Sequence, residues 1–147
     1  MAKLFVNRSI EIHAASSIVW QVLTDPSLTA GWVTEFGIKG SLHSDWTMGS
    51  KVSWKDLDGR TFVEGTVTGL QPYKFLRYTV FDMGSKERPP VTEEDGITFR
   101  LSEEKGNTKL DLTQGDFSAM SDGQKYHKMS SEVWDRVLPK IKELSEK

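Results

Sequence analysis

Three histidines, His13, His43 and His127, are the side chains best suited to moving a proton near neutral pH. They stand far apart. No HExxH string, metal-ligand spacing or nucleophile-elbow serine accompanies them, so neither a metal centre nor a catalytic triad is expected. His127 falls on the flank of a helical stripe that carries Trp134 and Leu138, where an imidazole could meet a ligand oxygen or sit half in solvent. Both readings stay open. Asp56, Asp58 and Gly59 hint at a calcium loop but lack the other ligands and the closing glutamate, and a hairpin turn accounts for them better. Glu93-Glu94-Asp95 could supply paired carboxylates or simply be solvated beside Pro89-Pro90. No general acid and base emerge from the chain, and no catalytic residue, metal or cofactor is assigned.

The aromatic residues carry a stronger signal. Trp32, Trp54, Tyr78, Phe99, Phe117 and Trp134 lie on segments whose apolar faces converge, together with Leu112 and Gln114. Such a set is either ordinary core or the wall of a ligand pocket with sparse polar anchors. Gln114 continues the inward parity of Leu110 and Leu112, and a buried amide must find partners. The Tyr78 hydroxyl and the indole N–H groups of Trp54 and Trp134 are further anchors.

The elements that must position these residues follow from the period of the apolar pattern. Ile10 and Ile12 alternate with Ser9, Glu11 and His13, predicting a first strand. Ser16 and Ser17 suit the start of a short helix with Ile18, Val19, Trp20, Val22 and Leu23 inside and Gln21 and Thr24 outside. Asp25-Pro26 then opens a second short helix reaching Trp32. Turns at Asp58-Gly59, Gln71-Pro72 and Lys105-Gly106-Asn107 separate alternating segments, so the sheet is expected to be antiparallel. Its inward residues are Val52 and Trp54; Val63, Gly65 and Val67; Leu76, Tyr78 and Val80; Ile97, Phe99 and Leu101; and Leu110, Leu112 and Gln114. From Ser121, with Gln124 completing a capping box, the period becomes helical through Tyr126, Met129, Val133, Val137, Ile141 and Leu144. Glu132 with Arg136 and Glu143 with Lys147 are spaced as outer-face pairs, and Pro139 predicts a bend. The long connection from Asp82 to Asp95 is expected to be functional or disordered.

Composition narrows the function classes. The chain has 147 residues, 37% of them hydrophobic, which suits one domain spanning 1–147 with a real core. A net charge of -2 argues against nucleic acid or an anionic membrane as partner. The absence of cysteine removes disulfides and thiolate chemistry, and no signal or membrane-spanning stretch is visible, so a cytoplasmic location is expected.

Several strings in this order carry a family resemblance. Ile10-Glu11-Ile12-His13-Ala14, Val19-Trp20-Gln21-Val22-Leu23-Thr24-Asp25-Pro26 and Trp32 resemble the opening of the START-like, or SRPBCC, superfamily. They resemble in particular the family related to the C-terminal domain of the Hsp90 activator Aha1. The likeness runs on through Met48-Gly49, Gly65-Thr66-Val67, Pro72, Leu76, Tyr78, Gly106 to Leu110 and Trp134 to Leu144. Ser16 replaces a common proline, Val33 a frequent second tryptophan, and Gln114 a frequent histidine. The resemblance implies an α+β helix-grip fold, a curved antiparallel sheet wrapped around a long C-terminal helix with two short helices after strand one. It also implies a cavity for a small apolar ligand such as a lipid, polyketide or aromatic metabolite. A cyclase or aromatase activity and a chaperone-cofactor role with a protein partner are the alternatives. Imidazole chemistry at position 114 is not expected.

Overall fold

Strand pairing begins by joining the two ends of the chain: β1 (Val6–Ile12) lies antiparallel to β8 (Asn107–Gly115), in register from Val6 opposite Gln114 to Ile12 opposite Thr108. The computed structural model describes residues 3–83, 96–118 and 121–147. Between those strands run α1 (Ser16–Thr24), α2 (Pro26–Val33), a short 3-10 turn (Thr34–Phe36), β2 (Gly40–Ser44), β3 (Lys51–Asp56), β4 (Thr61–Gln71), β5 (Phe75–Tyr78), the short β6 (Phe81–Asp82) and β7 (Gly96–Glu104). The sheet order is β1-β8-β7-β5-β4-β3-β2, with β6 added on β4, and every pairing is antiparallel. The sheet curls into a half-barrel around α3 (Gly123–Ser145), which is the helix-grip fold. Asp82 and Met83 begin the long connection, and the rest of it, including Glu93-Glu94-Asp95, lies outside the described residues.

The turns form where their residue types require. Lys105 and Gly106 both have positive φ and close a two-residue hairpin between the paired Glu104 and Asn107. At the β3–β4 turn the Asp56 carboxylate accepts the N–H groups of Asp58 (2.9 Å) and Arg60 (3.0 Å), so its charge orders a turn.

The helices depart from the simplest reading in informative ways. Ser16 does not cap α1; the cap residue is Ala15, and the Ser16 N–H instead donates to the Glu103 carboxylate of β7 at 2.6 Å. A strand thereby satisfies a helix end with a negative charge, which also suits the helix dipole. Thr24 is buried because its hydroxyl donates to the Trp20 carbonyl (2.8 Å), whereas Ile18 is left exposed. Asp25 caps α2 as expected, accepting from the Ser27 N–H at 3.0 Å. The long helix starts at Gly123, with Asp122 as its cap residue in the left-handed region, so it starts later than the Ser121 pattern suggests. Its apolar stripe is buried at Trp134, Val137, Leu138 and Ile141, while Tyr126 and Met129 are exposed. Pro139 is accommodated inside the helix. The expected i,i+4 pairs are replaced: Arg136 reaches Glu35 (3.6 Å), and Glu143 reaches Lys140 (3.7 Å). These exposed pairs contribute little.

The N-terminal segment is fastened to the end of β8. The Asp116 carboxylate accepts the N–H groups of Leu4 and Ser118, each at 2.8 Å, and Phe117 N–H returns a bond to the Leu4 carbonyl (2.8 Å). Partial desolvation opposes the Asp116 charge, but the bonds from Ser118 and Leu4, with the Lys3 charge nearby, outweigh it and hold the carboxyl below its ordinary value. A carboxyl depressed by folding stabilises the protein above its unfolded value of about 3.9, and that stability is lost as pH falls through the folded value. Asp116→Asn is therefore expected to be less stable than the parent at neutral pH. The deficit should shrink below about pH 4, as read by thermal melts across pH.

Candidate functional site

The concave face of the sheet, the inner face of α3 and the α2 end bring most of the aromatic candidates together. Trp54 comes from β3, Tyr78 from β5, Phe99 from β7, Leu112 and Gln114 from β8, Trp32 from α2 and Trp134 from α3. All are buried except Gln114, which is half-buried. Trp134 is the hub: its ring meets Trp32 at 6.4 Å, Phe99 at 5.8 Å and Phe36 at 5.2 Å between centroids. Phe36 also stands edge-on to Trp54 at 5.1 Å, and Tyr78 meets Phe99 at 6.4 Å. The edge-to-face contacts among these, Trp134 with Phe99 and Phe36 and Phe36 with Trp54, add about 0.5–1.5 kcal/mol each beyond area burial.

Phe117 stands elsewhere, with its ring 6.0 Å from that of His127. The His127 Nε2 lies 2.9 Å from the Phe5 carbonyl, so the imidazole ties α3 to the N-terminal segment. Phe36 and Trp46 were not among the sequence candidates. Phe36 belongs to the 3-10 turn beyond Trp32, where no periodic pattern marks it. Trp46 packs on Tyr78 at 5.9 Å from a bend with positive φ, and its indole donates to the Thr24 carbonyl (3.0 Å).

The polar groups of this interior divide into closed and open. The Trp134 indole N–H donates to the Gln114 side-chain oxygen at 2.7 Å, so two of the sequence-predicted anchors satisfy each other. Trp32 donates to the Val22 carbonyl (2.8 Å). The Trp54 indole N–H and the Tyr78 hydroxyl, in contrast, are buried with no hydrogen-bond partner among the described residues, with Trp54 only 3% and Tyr78 0% exposed. Burial also pushes the Tyr78 phenol above its ordinary value, so it stays protonated and able to donate. Elsewhere in the molecule, the buried polar residues among those described are Thr24, Thr29, Thr79, Thr98, Thr108 and Ser145, all uncharged.

Tyr78 is the last residue of β5, where the backbone passes close to β4 and β7. Two glycines make room for it: a Cβ on Gly65 would lie 1.7 Å from the Thr79 carbonyl oxygen, and one on Gly96, at φ +101°, would lie 2.1 Å from that of Tyr78. Thr79 repairs the ladder there, its N–H donating to the Thr66 carbonyl (3.0 Å) and its hydroxyl accepting the Thr66 N–H (2.9 Å).

Among the described residues no cluster of His, Asp or Glu could hold a metal ion, and no helix is long and apolar enough to cross a membrane. The sequence profile of the family described as "Activator of Hsp90 ATPase homolog 1-like protein" matches residues 13–146. No curated protein matches the sequence. Among solved structures, the Aha1 dimer from Colwellia psychrerythraea is similar at TM-score 0.71 and 18% identity, over 97% of this chain and 96% of that one. ChR145 from Cytophaga hutchinsonii gives 0.70 and 24%, over 97% and 94%. DynU16, a putative protein in the dynemicin biosynthetic locus, gives 0.69 and 15%, over 97% of this chain and 47% of that one. At these identities the likeness is one of fold.

Proposed function

Because this chain belongs to the activator of Hsp90 ATPase homolog 1-like family, we propose that it is a binding protein that takes a small, largely apolar molecule between its sheet and α3. One observation carries this reading: Trp32, Trp54, Tyr78, Phe99 and Trp134, from five different elements, turn into one buried region in which two donors are left open. Apolar walls with a few polar groups are what a small-molecule site needs. That DynU16 belongs to a biosynthetic locus is in keeping with a small-molecule role. A cyclase or aromatase reading has less support, since among the described residues no buried carboxylate, histidine or lysine stands with Tyr78 to exchange protons.

Native mass spectrometry of gently purified protein, followed by a thermal-shift screen of lipids and aromatic metabolites, tests the proposal. A non-covalent adduct or a ligand-dependent rise in melting temperature is expected. No adduct and no shift would remove it. The family's description keeps a chaperone partner as the second reading, and that reading predicts retention on immobilised Hsp90 and a changed ATPase rate.

A further inference from the structure

The polar chemistry of the interior points to a narrower ligand class. We propose that the Trp54 indole N–H and the Tyr78 hydroxyl are the recognition donors of this site, and that its ligand is an uncharged aromatic molecule with acceptor oxygens at two separated positions. This rests on the interior-binding reading above. An indole N–H can only donate, so Trp54 demands an acceptor. Tyr78 is kept in its donating form by burial. Among the described residues neither group has a partner, although the neighbouring indoles of Trp32, Trp46 and Trp134 all do. An unpaired buried donor is a standing penalty that an acceptor oxygen relieves.

Register sets the shape. Trp54 lies opposite Val63 and Tyr78 opposite Val67, on the two strands that flank β4. Four residues of strand separate those positions by about 13 Å. An acceptor for each donor therefore suits the two ends of an elongated ring system. A chain of ring contacts runs from Tyr78 through Phe99, Trp134 and Phe36 to Trp54, and such rings favour flat aromatic surface. Charge is disfavoured, because no charged residue among those described is buried, so a carboxylate or phosphate brought into this interior would lose its hydration without a buried counter-ion.

Three matched probes separate these features: para-methoxyflavone, the oxygen-free phenylnaphthalene, and phenylnaphthoate, which adds a carboxylate. Binding is measured by calorimetry on the full chain and on Tyr78→Phe, Trp54→Phe and the double variant. The flavone is expected to bind about ten-fold more tightly than either counterpart. Each single variant should lose most of that preference while holding phenylnaphthalene as the parent does. Ligand-free Tyr78→Phe should melt at or above the parent temperature, since it deletes only a donor that had no partner, whereas Trp54→Phe also loses buried ring area and should melt lower. Equal affinity for flavone and phenylnaphthalene, or variants that bind the flavone unchanged, would overturn the assignment of the donors while leaving interior binding intact. A clear drop in the melting temperature of ligand-free Tyr78→Phe would show that the hydroxyl already has a partner, and would also overturn it. Failure of all three probes together with an empty mass spectrum would overturn the interior-binding reading itself.

Discussion

Trp134→Ala is expected to leave the protein close to unfolding at room temperature. Truncating a fully buried tryptophan costs about 3–5 kcal/mol in lost transfer energy and cavity. At this position the loss is compounded, because Trp134 has no exposure, meets Trp32, Phe36 and Phe99, and supplies the hydrogen bond to the Gln114 oxygen. Leaving that amide unpaired adds about 1–3 kcal/mol. Alanine's better helix propensity returns at most about 0.7 kcal/mol, so the packing terms win. Against a typical total of about 5–15 kcal/mol, urea titration should show a midpoint far below that of the parent. Trp134→Phe separates the two contributions, since it keeps ring packing but orphans Gln114. Adding Gln114→Leu to Trp134→Phe should recover about 1 kcal/mol relative to the sum of the single changes. Strict additivity would mean that the 2.7 Å bond contributes nothing net.

Local patterns carried the architecture into view, because alternation and turn chemistry act over a few residues. Val52 with Trp54, Ile97 with Phe99, and Leu110 with Leu112 are buried as their parity requires, and Asp25 caps α2 as its type requires. What escaped the sequence is non-local. The N–H of Ser16 is satisfied by Glu103, 87 residues away, and no capping rule reads across that distance. Thr24 looked like a solvent-facing residue until its hydroxyl found the Trp20 carbonyl one turn back. α3 starts at Gly123, where an added Cβ would lie 2.0 Å from the Phe117 carbonyl oxygen, a close approach that no capping pattern reads. The candidate site follows the same division. Parity placed Trp54, Tyr78, Phe99 and Gln114 inward, but only packing could pair Gln114 with Trp134 and leave Trp54 and Tyr78 without partners. Phe36 was invisible for a related reason: its 3-10 turn has no period, yet its ring bridges Trp54 and Trp134.

The second large effect is expected at a residue with no side chain. Gly65→Ala should destabilise the protein by about 3 kcal/mol or more, lowering the melting temperature by roughly 10 °C. The reason is steric. The added Cβ would lie 1.7 Å from the Thr79 carbonyl oxygen, and that oxygen is backbone, held by the Thr79 N–H bond to Thr66 and by the Thr66 N–H bond to the Thr79 hydroxyl. Relief requires β4 and the β5 end to separate where they are knitted together, and the movement would carry Tyr78 with it. Gly59→Ala is the informative comparison, because Gly59 has φ +83° but nothing within 4 Å of an added Cβ. It should cost only about 1–2 kcal/mol, the ordinary penalty for a left-handed L-residue. If the two variants melted alike, close approach at Thr79 would not be what requires glycine at position 65. If Gly65→Ala proves much the worse, its binding of para-methoxyflavone under conditions where it remains folded should fall toward that of Tyr78→Phe, since Tyr78 is the chain neighbour of Thr79 and shifts with it.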